Sequence, residues 1–316
     1  MKYLSLFSGI GGFEKGIQNA FRDGVSSKQT RGSNLMASNG ASHDTKNHGP
    51  IPECIGYSEI DKYAVQIYEK HFPEHKNYGD ITKLDTRTLE RYELLVGGFP
   101  CQSFSIAGKR RGFEDTRGTM FFFIANILAQ TKPRLLLLEN VKGLLSHDKG
   151  ETFRVILKTL DELGYDLQWQ VLNSKNFGVP QNRERVFIIG HLRGTRRPQV
   201  FPIGENSGSD IVLPTLTARY YGGQANGGYI GNKPKKTEPS RQTNGQDKKQ
   251  SNDSDGRGGQ TYPSNIRRLT PTECCRLQGF PDDWVDGISD SQKYKCLGNA
   301  VTVNVIQAIM ERLITT

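Results

Sequence analysis

The side chains able to do chemistry stand at the ends of strand-like runs. Cys101 follows Gly97-Gly98-Phe99-Pro100, which itself follows the apolar run Glu93-Leu94-Leu95-Val96. Glu139-Asn140-Val141 closes the run Arg134-Leu135-Leu136-Leu137-Leu138, and Arg183 and Arg185 alternate within Gln181-Asn182-Arg183-Glu184-Arg185. A thiolate is a nucleophile, a carboxyl group moves a proton, and guanidiniums hold oxygens. Taken singly, each has a plain reading: a buried structural cysteine, a solvated strand end, an exposed edge strand. Cys101 and Glu139, however, both fall at the carboxyl ends of expected parallel strands, where an open α/β sheet places its ligand. Pro100 fixes the backbone just before the thiol, and alternation puts both guanidiniums on one face. With Gly298-Asn299-Ala300-Val301 near the C-terminus, four features need one explanation.

The elements that must position these residues alternate along the chain. Tyr3 to Phe7 reads as a short buried strand, Ser8-Gly9-Ile10-Gly11-Gly12 as a tight turn, and Phe13 to Phe21 as an amphipathic helix start. Strand, glycine-rich turn and helix N-terminus together receive an anionic ligand group, although this turn is not GxGxxG. Glu53 to Ser58 is a second strand ending in Glu59, where doubly wound folds commonly hold a ribose hydroxyl pair. Lys62 to His71 has helical spacing, and Gly79-Asp80-Ile81 precedes a third strand unit, so that Leu94 to Gly97 counts as the fourth strand and 134–138 as the fifth. Helices are expected over Thr119 to Gln130 and Thr152 to Leu163, and strands over Tyr165 to Leu172 and Arg185 to Gly190. Such alternation predicts a mostly parallel sheet with helices on both faces. Thr270 caps a helix with Pro271 first and Glu273 three residues on, and an apolar helix runs from Val301 to Ile314.

Two stretches break the pattern. Residues 23–50 are polar and read as an exposed, mobile insertion; His43 and His48 within it are solvated rather than metal-binding. From Gly231 to Thr261 there is no aliphatic or aromatic residue, so that stretch cannot bury a face. The expected division is residues 1–190 plus 285–316 as one domain and 191–284 as a second.

The chain has 316 residues, enough for a full core and two domains. Lys and Arg outnumber Asp and Glu 42 to 33, giving +9, a balance that suits a polyanionic partner. Five unevenly spaced cysteines argue against a disulfide framework and offer no zinc site. No metal is expected. The N-terminus reaches Gly-Ile-Gly-Gly too early for a signal peptide, and the longest apolar stretch, Met120 to Ala129, is far short of the ~20 residues of a membrane helix. A reducing, cytoplasmic setting is the expectation.

With these residues in hand the chain resembles the cytosine carbon-5 DNA methyltransferases over nearly its whole length, in their shorter bacterial and phage restriction–modification form. Phe7 to Gly12 resembles the S-adenosylmethionine motif, Gly98 to Ser105 the nucleophile loop, and Glu139-Asn140-Val141 the acid motif. Gln181 to Arg185 resembles the arginine motif; Arg268 to Trp284 and Gly298 to Val301 resemble the two closing motifs. The resemblance implies a Rossmann-like S-adenosylmethionine-dependent methyltransferase fold with a smaller, irregular target-recognition domain. Cys101 would add to carbon 6 of a flipped-out cytosine, Glu139 would hold a proton at nitrogen 3, and Arg185 and Arg183 would position the base.

It implies further that Phe7 packs on the adenine and that Gly9, Gly11 and Gly12 form the cofactor turn. Glu59 would take the ribose hydroxyls and Asp80 the adenine amino group, with Ile60, Ile81, Pro100, Met120 and Asn299 lining the pocket. The lid Ser103 to Gly118, together with Gln102 before it, would reach double-stranded DNA through Gln102, Ser103, Ser105, Lys109, Arg110 and Arg117. In the variable segment, Thr215, Arg219 and Tyr220 are the candidate base-reading contacts. A monomer is expected, with a restriction endonuclease acting on the same site as its companion. The rivals at this point are a same-fold RNA enzyme, an inactive DNA-binding relative, and a small-molecule methyltransferase that would leave the basic loop unexplained.

Overall fold

The computed structural model describes residues 1–29, 52–100, 120–203, 229–231 and 266–315. In chain order they form β1 (Lys2–Leu6), α1 (Gly12–Gln29), β2 (Glu53–Ser58), α2 (Lys62–His71), β3 (Leu94–Gly98), α3 (Met120–Thr131), β4 (Leu135–Val141), α4 (Glu151–Glu162), β5 (Tyr165–Asn173) and β6 (Glu184–Leu192). Then follow β7 (Tyr229–Gly231), β8 (Ile266–Arg268), α5 (Pro271–Gln278), α6 (Asp290–Asn299) and α7 (Val303–Thr315).

The run of four leucines in β4 shows how the sheet is built. Side chains alternate along a strand, so Leu135 and Leu137 enter one core with Phe13 and Ile17 of α1 and Ile306 and Ile309 of α7. Leu136 and Leu138 enter the opposite core with Phe121, Ile124 and Leu128 of α3 and Ile156 and Leu160 of α4. A strand covered on both faces reads as one apolar run rather than an alternation, which is why these strands were legible. Each such side chain, fully buried, contributes roughly 1.5–3 kcal/mol.

The strand order is β2-β1-β3-β4-β6-β5. β2, β1, β3 and β4 are mutually parallel, while β6 runs antiparallel to both β4 and β5. The sheet is thus mostly parallel and doubly wound, as the alternation requires. β6 reverses because residues 174–183 return the chain directly from β5, without the crossover helix a parallel neighbour needs.

Some expected boundaries move. α1 continues to Gln29, into the stretch read as an insertion from residue 23. After Gly79 no strand forms. Instead Asp80 and Asp85 accept hydrogen bonds from the Thr82 and Arg87 amides and close two 3-10 turns, 81–83 and 86–88, so 94–98 is the third strand and 135–141 the fourth. The last helix starts at Val303 rather than Val301, because Ala300 is extended, with ψ 149°. α5 carries the full capping box, Thr270 and Glu273 each accepting from the other's backbone, a device worth about 1 kcal/mol.

Packing crosses the expected domain borders. Val200, Phe201 and Ile203 pack into the first core, and the Val200 and Phe201 amides both donate to Gln168. Leu269, Cys274, Cys275, Leu277, Phe280 and Trp284 form a third cluster with Ile10, Tyr57, Tyr68 and Phe72. Trp284 donates its indole N–H to the Ile10 carbonyl at 2.9 Å and stacks on His71 at 3.6 Å. Borders at 190/191 and 284/285 would cut both clusters. Packing thus continues across these borders, to Ile203 in the first cluster and from Leu269 in the third. Between them, β7 and β8 pair antiparallel, Tyr229 opposite Arg268.

Candidate active site

The chain leaves β1 for β2 on one side of the sheet and returns to β3 on the other, so the strand order switches between β1 and β3. An open cleft of about 340 Å³ lies at the carboxyl ends of these strands and of β4, where such folds bind ligands.

One group of lining residues is acidic and basic. Glu139, 9% exposed at the end of β4, forms an ion pair with Arg185, Oε1 to Nε 3.0 Å. Arg185 is braced by donating to the Glu184 carbonyl at 2.8 Å. Gly98 lies opposite Glu139 in the β3–β4 register, and a Cβ on it would come within 3.1 Å of Glu139 Oε2. The next residue, Asn140, donates to the Phe99 carbonyl at 2.8 Å and accepts from the Val141 amide. This fixes the end of β3 up to Pro100, which lines the cleft and is bonded to Cys101. Arg183 precedes β6 rather than lying in it. It lines the same cleft but donates to the carbonyls of Gly298 and Ala300 at 3.2 and 2.8 Å. Burial, with Arg185 nearby and against the pull of Glu139, lowers its pKa to about 9, so it stays charged at neutral pH.

A second group surrounds the glycine-rich turn. Phe7 adopts a left-handed φ of 53° and Gly9 a φ of 55°; for Phe7 this is strained backbone of the kind that clusters at ligand sites. A Cβ on Gly9 would meet nothing within 4 Å, whereas on Gly11 it would strike the Phe72 ring at 2.5 Å and on Gly12 Val301 at 2.8 Å. Gly9 therefore faces the cleft, while Gly11 and Gly12 permit close packing. Glu59 accepts from three backbone amides: Gly9 at 2.9 Å, Ile60 and Asp61 at 2.8 Å. Asn299 also lines the cleft.

Other expected residues sit elsewhere. Ile60, 75% exposed, lies beside Glu59 without lining the cleft. Asp80 caps its 3-10 turn, and its hydrogen bond from the Thr82 amide holds its carboxyl below the usual range. Ile81 is buried in the second core, with Met120 packed against it. Ser58 donates to the Gly79 carbonyl at 2.6 Å, which holds this turn against the end of β2. Cys101, Gln102, Ser103, Ser105, Lys109, Arg110, Arg117, Thr215, Arg219 and Tyr220 lie outside the described residues.

Sequence reasoning passed over Asp61 and Lys295, which line the cleft and form an ion pair of 2.5 Å. An Asp just before a helical pattern is an N-cap signal, and Lys295 stands four residues before Asn299, on the same helix face. Among the described residues no group of three or more His, Cys, Asp or Glu could hold a metal ion. No described helix is long and apolar enough to cross a membrane.

The C-5 cytosine-specific DNA methylase family model matches residues 1–211 and 205–315. The Type II methyltransferase M1.ScrFI of Lactococcus lactis subsp. cremoris is 39% identical over 279 residues, 81% of this chain and 71% of the relative. The Type II methyltransferase M.SsoII of Shigella sonnei is 37% identical over 336 residues, covering 100% of this chain and 80% of its own length. The crystal structure of a Spodoptera frugiperda DNMT2 variant aligns with a TM-score of 0.66, covering 99% of both chains at 20% identity, a likeness of fold alone. On these matches the chain belongs to the C-5 cytosine-specific DNA methylases and is a DNA cytosine-5 methyltransferase.

Proposed function

We propose that the cleft holds S-adenosylmethionine against Phe7, Gly9, Glu59 and Asn299 and presents a flipped-out cytosine to Cys101, Glu139 and Arg185. The observation that carries this reading is the pairing of Glu139 with Arg185 beside an Asn140 that anchors Phe99, two residues before Cys101. Methyltransferases in general draw on S-adenosylmethionine, and the residues present fit it. Gly9 leaves open space on the cleft side, Phe7 offers an aromatic face, and the three-amide cradle orients the Glu59 carboxylate. When bound, S-adenosylmethionine supplies a methyl group activated by its sulfonium.

The chain's own residues do the rest. The Cys101 thiolate adds to carbon 6, forming an Sγ–C6 bond as the C5=C6 pair shifts toward nitrogen 3. Glu139 holds a proton at nitrogen 3 against the charge that develops there, help typically worth about 10²–10⁴-fold. Arg185 keeps the Glu139 carboxyl aimed and sits beside the base's oxygen. Arg183 holds the Gly298–Ala300 carbonyls, and with them the Asn299 wall, against the arginine strand. After methylation, loss of the carbon-5 proton re-forms the double bond and expels Cys101. None of these atoms is reachable within a base stack, so the cytosine leaves the duplex.

The lid residues Gln102, Ser103, Ser105, Lys109, Arg110 and Arg117 would hold DNA phosphates. Specificity would lie in the block between Ile203 and Leu269, with Thr215, Arg219 and Tyr220 as contacts. The enzyme would act as a cytoplasmic monomer. The Type II designation of its relatives supports a place in a restriction–modification system with an endonuclease that cuts the same site. Bisulfite mapping of DNA from cells expressing the wild type and Glu139→Gln tests the reading. The wild type should mark one short site, and the variant should lose most of that signal. Equal methylation by both would refute the acid role.

A further inference from the structure

The cleft that holds the Glu139–Arg185 pair is lined also by a second ion pair that the reaction chemistry leaves unused. Lys295 Nζ donates to Asp61 Oδ2 at 2.5 Å, joining α6 to the N-terminus of α2 across 234 residues of sequence. The other Asp61 oxygen accepts from the Tyr63 and Ala64 amides, capping α2. The Asp61 amide in turn donates to Glu59 Oε1, and Glu59 Oε2 accepts from the Gly9 amide. One unbroken chain of hydrogen bonds thus runs from Lys295 through Asp61 and Glu59 to Gly9. Its first member shares a helix face with Asn299, and all five residues line the cleft.

We propose that Lys295 is a positioning residue for the cofactor, pinning Asp61 and so setting where the Glu59 carboxylate and the Gly9 turn stand. The inference rests on the cofactor reading of this cleft. An isolated pair with side chains 45% and 28% exposed adds little to global stability. Its effect is local: with α6 holding Asp61, the Glu59–Asp61 turn has one conformation instead of several, and binding loses less entropy. Burial alone would raise the Asp61 carboxyl, but Lys295 and the capping amides outweigh it, and the Asp61 bond in turn raises the Lys295 ammonium. The pair stays charged at neutral pH.

The test is titration calorimetry of S-adenosylmethionine and S-adenosylhomocysteine with wild type, Lys295→Met, Lys295→Arg, Asp61→Asn, the Lys295→Met/Asp61→Asn double variant and Glu59→Ala. Lys295→Met should weaken both ligands by about 3- to 5-fold, the scale of a partly exposed ion pair. Turnover at saturating cofactor should change less than about 2-fold, and Lys295→Arg should recover most of the affinity. The double variant should be no worse than the weaker single one, as for a coupled pair. In the cofactor-free protein, amide exchange at Gly9, Ile60 and Asp61 should quicken in Lys295→Met. Unchanged affinity and exchange in Lys295→Met, with Glu59→Ala still weakened, would overturn the positioning role. Unchanged affinity in Glu59→Ala as well would overturn the cofactor reading beneath it.

Discussion

Asn140 donates its side-chain N–H to the Phe99 carbonyl, 2.8 Å away, and so ties the residue after the candidate acid to the backbone two residues before the candidate nucleophile. The bond joins the ends of β4 and β3, and Asn140 is only 3% exposed. The strand end that carries Glu139 and the end of β3 are therefore joined by one contact rather than left as two independent loops.

Asn140→Ala should separate position from binding. Losing this anchor should lower the single-turnover rate by about 10- to 100-fold, the cost of a misplacement near 1 Å. Affinity for S-adenosylmethionine should stay within about 2-fold, and stability should fall by roughly 1–3 kcal/mol as the buried carbonyl loses its partner. Rapid-quench methyl transfer, calorimetry and thermal unfolding measure the three. A full single-turnover rate would mean that the Phe99 carbonyl needs no anchor.

Gly98 and Gly97 should behave differently when each is changed to alanine. A Cβ at Gly98 presses on Glu139 Oε2 at 3.1 Å, so the carboxyl must shift by a few tenths of an ångström against Arg185. At Gly97 it meets the Leu6 carbonyl at 3.1 Å, which is backbone inside the sheet. Gly98→Ala should lose activity by about 10-fold or more with little change in Tm, while Gly97→Ala should lower Tm first. Parallel activity and melting curves decide between this ordering and its reverse.

Glu14 gives the fold a pH dependence. It is fully buried in the first turn of α1, and desolvation raises its carboxyl to about 7 from an ordinary 4.5, against opposing contributions from Ser5 and Tyr68. A folded pKa above the unfolded one means that the native state binds the proton more tightly. Its contribution is fully present below about pH 4.5 and is lost as pH rises through about 7, at a cost of roughly 3 kcal/mol at full effect. Glu14→Gln should therefore raise Tm by about 3–6 °C at pH 8 and by much less at pH 5. An equal gain at both pH values would show that Glu14 does not titrate in this range.

What could be read ahead of the structure follows from which forces are local. The four leucines of β4, the Ser8–Gly12 turn and the Thr270–Pro271–Glu273 cap act within a few residues, and each formed as read. β2 and α2 were legible for the same reason. The packing across the expected domain borders was not, because Trp284 and Phe201 show their partners, Ile10 and Gln168, only after folding. Lys295 and Asp61 were missed on the same ground: each looks like an ordinary surface charge until the chain closes. Arg183 and Arg185 were placed by alternation on one strand face. The strand begins at Glu184, and Arg183 turns to the Gly298 and Ala300 carbonyls instead.

Covalent capture tests the central claim most directly. A duplex carrying 5-fluorocytosine at the mapped target cannot lose its carbon-5 substituent, so addition of Cys101 followed by methylation should leave the enzyme bonded to carbon 6. Denaturing electrophoresis should show a wild-type adduct that forms only with S-adenosylmethionine, and tryptic mass spectrometry should place the bond at Cys101. Cys101→Ala should form none while binding the duplex with an affinity near that of wild type, since many phosphate contacts hold it. An adduct in the alanine variant, or continued methyl transfer by it, would contradict the account.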